Sequence, residues 1–235
     1  MPETFNLGSY RPTVLQLGES SKNSSIVSFD ELILFTGLKT ITDGSLMNNG
    51  AFADCSSMKS LKIPPTVNRL GQACFYNCSS LMTIGDDLST ITFVGSSSFY
   101  NCTSYANELV LPNLTSLGYA AFMNSGITKV SNLGYITTIP DASLYNAGVF
   151  YNCKDLDYVI LPSTLTHLGK SSLGKNTALK VVICYAATPP AMPNTAFNDT
   201  NSCIVYVPDD SVSAYQEATN WNTLSARIKP LSELV

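Results

Sequence analysis

The sequence predicts a right-handed solenoid: coils of about 23 residues stacked in one rod, with a parallel β-sheet along one face. Three observations predict it. Phe52, Phe75, Phe99, Phe122 and Phe150 open similar segments, at separations of 23, 24, 23 and 28 residues. Three residues after most of them stands a cysteine, at Cys55, Cys78, Cys102 and Cys153, with Ser125 in that slot after Phe122. A short apolar alternation ended by proline then recurs, as in Leu61, Ile63 and Pro64 or Val159, Leu161 and Pro162.

Each element of a coil has a physical reason. The alternation of Leu61 with Ile63, or of Val159 with Leu161, is that of a short strand with one face in the core. Pro64 and Pro162 end the strand because proline supplies no ladder donor. Val67 and Leu70, like Leu165 and Leu168, return the chain to the core, and Gly71, Gly118 and Gly169 fit a tight corner. Leu173 and Phe197 continue the register with weaker matches. One coil cannot bury its own apolar row, so neighbours must stack to share a core. A composition of 45% hydrophobic and 13% charged residues suits a large core and not a disordered chain.

These repeats resemble the BspA-like, or Treponema-type, leucine-rich repeats, whose consensus reads roughly Ala-Phe-x-x-Cys-x-x-Leu-x-x-Ile-x-Ile-Pro. Residues 51–64, from Ala51-Phe52 through Cys55 to Ile63-Pro64, match it nearly position by position. The resemblance covers about residues 27–230 and implies a leucine-rich-repeat solenoid. It also implies an opening coil over 27–41 and a closing unit: Thr188-Pro189-Pro190, a strand over 204–208 and a helix ending near Trp221. Asp209, Asp210 and Ser211 are candidate N-caps of that helix. Ala214, Tyr215, Ala218 and Trp221 would cover the last coil, whose apolar row an open end would expose. The chain thus divides into a non-repeat extension, 1–26, and a solenoid, 27–235, with its cap from about 188. The extension holds Tyr10, Val14, Leu15 and Leu17 but no repeat; it either tethers the solenoid to an assembly or covers the first coil.

Charge and motifs exclude several function classes. The net charge is −4 and no run of Lys or Arg occurs, so the clustered cations that neutralise nucleic-acid phosphates are missing. No apolar stretch approaches the roughly 20 residues of a membrane span, so no membrane insertion is expected. Residues 1–20 lack the basic start and continuous apolar run of a secretory signal peptide. Two readings of that start stand: a mature fragment with an added Met, or a protein that does not use that export route.

Seven cysteines are an odd count for a disulfide framework. Cys55, Cys78, Cys102 and Cys153 are expected in equivalent core slots as small hydrophobes, with Cys184 and Cys203 buried in the last coils. Cys74 and Cys78 lack a second ligand pair, so no metal is expected. The single histidine, His167, shares a slot with Arg69 and Ser116, which reads as a solvent-facing corner and not as a general base. Asp86-Asp87 and Asp209-Asp210 suit turns and a helix start. No phosphate-binding glycine loop is present, and no catalytic residue or cofactor is expected. Sequons occur at Asn23, Asn77, Asn101, Asn113 and Asn198. The asparagines beside core cysteines are expected to bond backbone at the bend and not to carry glycans.

Two surfaces are candidates for binding a protein partner. Residues 45–52 closely parallel 143–150 and lengthen their coils, and insertions in solenoids become loops on one edge. Asn48, Asn49, Tyr145 and Asn146 are the candidates there. At about 4.8 Å per coil the two loops lie roughly 19 Å apart, either as a paired rim or as length variants that repack the corner. The second candidate is the outward row of the sheet: Lys62, Val110, Tyr158, Ile160, Val181 and Ile183. An apolar, aromatic stripe can mark a protein interface, although β-branched residues suit strands in any case. The family resemblance implies a non-catalytic protein-binding or adhesion module of a bacterial surface or secreted protein, hence an extracellular or cell-surface location. The alternative is a structural subunit of a larger assembly, such as a phage virion or fibre component. The partner is accordingly a host protein or the assembly itself.

Overall fold

The structure, a computed structural model, describes residues 14–15, 25–44, 50–85, 87–142, 148–200 and 202–234. The expected sheet is present. Six parallel strands follow one another in sequence order: Glu108–Val110, Lys129–Asn132, Tyr158–Leu161, Val181–Cys184, Ile204–Val207 and Ile228–Pro230. The same row begins further toward the N-terminus with Ser28–Phe29 paired to Ser60–Leu61, and Ser60 bridges Thr83. We call this row the front sheet. Its inward residues, among them Leu61, Leu109, Val130, Val159, Val182 and Val205, are all buried.

A second parallel ladder lies on the other side of the coils. It joins Val14–Leu15, Thr40–Ile41, Arg69–Leu70, Phe93–Val94 and Ser116–Leu117, and a second piece pairs Thr138–Ile139 with His167–Leu168. Arg69, Ser116 and His167 therefore open strands of this rear ladder, where the sequence predicts only a corner. Each strand is two residues long with one residue buried, too short to show an alternation. Val14–Leu15 adds a strand to the end of this ladder, so that part of the extension covers the first coil.

The Phe-containing turns form a third edge. Each coil donates backbone N–H groups to the next: Phe52 to Cys74 O, Phe75 to Ser98 O, Phe99 to Ala121 O, Phe122 to Val149 O and Phe150 to Ser172 O, at 2.7–2.9 Å. The backbone reaches this geometry by placing Asn77, Asn101, Asn124 and Asn152 in the left-handed region, at φ of 57°, 58°, 58° and 59°. Asparagine tolerates that region better than other residues with a Cβ. Its side chain also bonds differently from expectation. Asn77 Nδ2 donates to Asp54 Oδ1 at 2.9 Å, Asn101 to Asn77 at 2.9 Å, Asn124 to Asn101 at 2.7 Å and Asn152 to Asn124 at 2.7 Å. The amides bond one another in a head-to-tail ladder, not the backbone. Their positive ends point toward the Asp54 carboxylate, which can only accept.

Inside this edge, Phe52, Phe75, Phe99, Phe122 and Phe150 form a column, with successive ring centroids 5.5, 5.2, 5.0 and 5.6 Å apart. All five are buried, and each contributes roughly 1.5–3 kcal/mol by leaving water. The cysteines occupy the expected core slots and do more than fill space. Cys78, Cys102 and Cys153 donate their S–H to the carbonyls of Phe52, Phe75 and Phe122, at 3.0, 3.1 and 3.0 Å. The corner glycines serve close approach: a Cβ on Gly71 would sit 2.3 Å from the Thr42 carbonyl carbon, and one on Gly169 2.1 Å from the Pro140 oxygen.

The C-terminal cap follows expectation in outline and departs in detail. Tyr215 and Trp221 are buried edge to face at 4.9 Å, and Trp221 Nε1 donates to Pro190 O at 2.7 Å. The helix runs Val212–Glu217 and stops short of Trp221, which opens the 3-10 segment Trp221–Arg227. No side chain caps that helix. Ser211 Oγ instead bonds Ala187 O, and Asp209 accepts the Ser232 N–H. Ala214 faces solvent. The chain then returns to the front sheet as the sixth strand, Ile228–Pro230, which no sequence signal announces.

Candidate functional site

The outward row of the front sheet is where the structure gathers the predicted residues. Register aligns Lys129, Tyr158, Val181 and Ile204 in one row, and Ile160, Ile183, Tyr206 and Lys229 in the next. Tyr158, Ile160 and Val181 are half-buried, and Val110 and Lys62 are exposed. Ile183 corrects the expectation: it is only 1% exposed, because its register neighbours Ile160 and Tyr206 flank it with large side chains. It supports the row and cannot present itself to a partner.

Three members of this face were missed. Ile204, Tyr206 and Tyr185 stand beside the predicted residues, and Tyr185 is 44% exposed. Applying the two-residue alternation to Ile204 and Tyr206 would have found them. Burial, and then the neighbouring Tyr185, push the Tyr158 phenol above its ordinary range. The rim carries the pairs Lys180–Asp157 at 3.7 Å and Lys229–Glu233 at 3.4 Å. Such exposed pairs hold the fold weakly, by roughly 0–1 kcal/mol each.

The four loop candidates, Asn48, Asn49, Tyr145 and Asn146, lie outside the described residues. The entrances to their loops are described, and both are built alike. Asp43 accepts the Gln72 N–H at 2.6 Å and pairs with Arg69 at 2.8 Å; Asp141 accepts the Lys170 N–H at 2.7 Å and lies 3.3 Å from His167 Nε2. Burial works to raise Asp43, but the Gln72 N–H and the Arg69 guanidinium outweigh it and hold the carboxyl below its ordinary range. Arg69 also stacks over the Phe93 ring at 3.6 Å. Each of these coils is thus anchored to the next where its extra residues begin.

The cysteines, His167 and Asp87 have defined surroundings. All seven cysteines are buried. Burial pushes the thiols of Cys74, Cys78 and Cys102 up, and that of Cys153 up to about 12, the reverse of an activated nucleophile. His167 faces Asp141 at the rear ladder. Asp87 accepts the Ser89 N–H in a turn, as expected, and Asp86 lies outside the described residues. Among the described residues no group of three or more His, Cys, Asp or Glu side chains converges, and no helix is long and apolar enough to cross a membrane.

Stacked parallel ladders, a phenylalanine column and a cysteine slot in each turn define a leucine-rich-repeat solenoid. The family model for the BspA type leucine rich repeat region matches in six copies, over residues 25–148 and 146–226. The chain belongs to that family. Among solved structures it is similar to a leucine-rich repeat protein from Bacteroides ovatus ATCC 8483, at 22% identity and a TM-score of 0.43. That match covers 75% of this chain and 45% of the other, so this chain spans under half of that protein's length. A second similar structure is a leucine rich cell surface protein from Faecalibacterium prausnitzii A2-165. It is 15% identical with a TM-score of 0.30, and the match covers 88% of this chain and 77% of that one. No curated protein matches the chain.

Proposed function

We propose that the chain is a non-catalytic recognition module of a bacterial surface or secreted protein, and that it binds a protein partner across the outward face of the front sheet. One observation carries the reading: Tyr158, Ile160, Val181, Ile204 and Tyr206 lie side by side in register on adjacent strands, partly open to solvent. Tyrosine with aliphatic neighbours and a charged rim is the composition of interface centres. The sheet holds these residues in place before binding, so little ordering entropy opposes association. Family membership supports the same reading. The buried, neutral thiols and the Asp141-paired histidine support a role without catalysis.

The test is binding of the purified chain to immobilised host extracellular-matrix proteins, compared with a Tyr158→Ala/Tyr206→Ala variant. The expected outcome is at least tenfold weaker binding by the variant at an unchanged melting temperature. Equal binding by the variant would overturn the assignment to this face. A wild-type chain that binds no matrix protein, yet self-associates, would overturn the adhesion reading in favour of a structural subunit.

A further inference from the structure

Four coils of the front sheet follow one rule: after the inward strand residue comes one residue, a buried apolar residue and then proline, at Leu61 to Pro64, Leu109 to Pro112, Val159 to Pro162 and Val205 to Pro208. After Val130 come two, because Ser131 is extra. Register accordingly jumps from Leu109 opposite Val130 to Val110 opposite Asn132. Leu133 then takes the buried slot, and Gly134 stands in the place of proline at φ +59°. A Cβ there would lie 2.4 Å from the Leu114 nitrogen, so no other residue fits. The Asn132 side chain closes the turn by accepting the Gly134 N–H at 2.8 Å. Such bulges re-aim side chains at functional sites.

The result is a cleft of about 480 Å³ between this coil and the next two. Leu133, Ile160 and Pro162 form its apolar wall, Tyr185 stands at it with its ring partly open, and Ser131, Asn132 and Ser163 supply the polar groups. None of the lining residues is charged. The hydroxyls of Ser131 and Ser163 and the Nδ2 of Asn132 have no partner among the described residues, while Asn132 Oδ1 is committed to the turn. The volume falls within the roughly 300–1,000 Å³ of small-ligand sites.

From this lining we infer that the cleft binds a neutral saccharide. A sugar ring has a C–H face that packs on an aromatic ring, and a rim of hydroxyls that serve as both donors and acceptors. Tyr185 meets the first requirement; Ser131, Ser163 and the Asn132 amide meet the second. A phosphate, carboxylate or ammonium group would enter without a counter-charge from the lining. The cleft shares Ile160 and Tyr185 with the outward face, so a variant at Tyr206, which lies outside the cleft, is needed to tell the two sites apart.

Saturation-transfer NMR with glucose, galactose, mannose, N-acetylglucosamine and their neutral disaccharides tests this. At least one sugar is expected to bind in the millimolar range with transfer to its ring C–H protons. Tyr185→Ala should weaken that binding at least tenfold, Asn132→Ala several-fold, and Tyr185→Phe by no more than threefold, since the ring remains. Tyr206→Ala should leave it unchanged, which separates this site from the protein-binding row. No transfer from any sugar overturns the proposal, as does equal binding by Tyr185→Ala. Tighter binding of a sialylated trisaccharide or of a proline-rich peptide overturns the choice of a neutral sugar.

Discussion

The N-terminal and C-terminal halves of the front sheet share one inner face and differ in the outer one. Inside, Leu61 and Ile84 of the first half are as buried as Val159, Val182 and Val205 of the second. Outside, the first half shows Ser28, Ser60 and Thr83 on two-residue strands and a single bridge, with Lys62 just past its strand. The second shows Tyr158, Ile160, Val181, Ile204 and Tyr206 on strands of four residues. The core constrains every coil equally, so the outer difference is not demanded by burial. It serves either longer strand pairing, which β-branched and aromatic residues favour, or recognition. The predictions separate those uses.

The largest expected effect removes what the halves share. Phe99→Ala takes the middle ring from the column and should cost about 3–5 kcal/mol in chemical denaturation. Hydrogen exchange should show protection lost in both halves together. Loss in only one half would mean the column does not couple them.

Next is the asparagine ladder, which runs from Asp54 to Asn152 and so crosses from one half to the other. Asn101→Ala leaves the Asn77 carbonyl and the Asn124 amide unpaired, at about 1–3 kcal/mol, with left-handed strain added. Asn101→Gly removes that strain and should recover about 1 kcal/mol of it. Equal losses in the two variants would show that the amide ladder, not the backbone angle, is what the position selects.

The cysteine slot predicts an alkaline effect common to both halves. Cys153 is pushed from its ordinary 9.0 up to about 12 in the fold. Its contribution is fully present below pH 9, where the thiol is neutral folded or unfolded. Stability is lost as pH rises from 9 toward 12, because the unfolded thiol ionises and the buried one does not. Melting temperatures measured from pH 7 to 11 should fall, and Cys153→Ala should flatten that slope. A slope unchanged in the variant would show that the thiol does not stay buried and neutral.

The smallest effect sharpens the comparison most. Ile204→Thr and Tyr206→Thr keep strand propensity while removing apolar surface. Each should change stability by less than about 1 kcal/mol while weakening partner binding. A larger loss of stability would mean that the outer row of the C-terminal half serves folding.

Much of the architecture was legible because every coil offers its residues the same surroundings. Repetition of Phe52, Phe75 and Phe99, or of Cys55 and Cys78, reports a slot rather than a local propensity, and the structure buries each of them. The outward row was legible as far as the alternation of single strands reaches, and it failed at Ile183, whose exposure depends on neighbours 23 residues away on each side.

The period, the residues that face inward and the need for a cap follow from hydrophobic spacing along one chain. What happens between coils follows from their packing. The rear ladder, the amide ladder from Asn152 to Asp54, the sixth strand at Ile228–Pro230 and the cleft beside Gly134 all arise there. Each depends on how one coil registers on the next, and that register is set by contacts between residues more than twenty positions apart, which leave no periodic mark within a single coil.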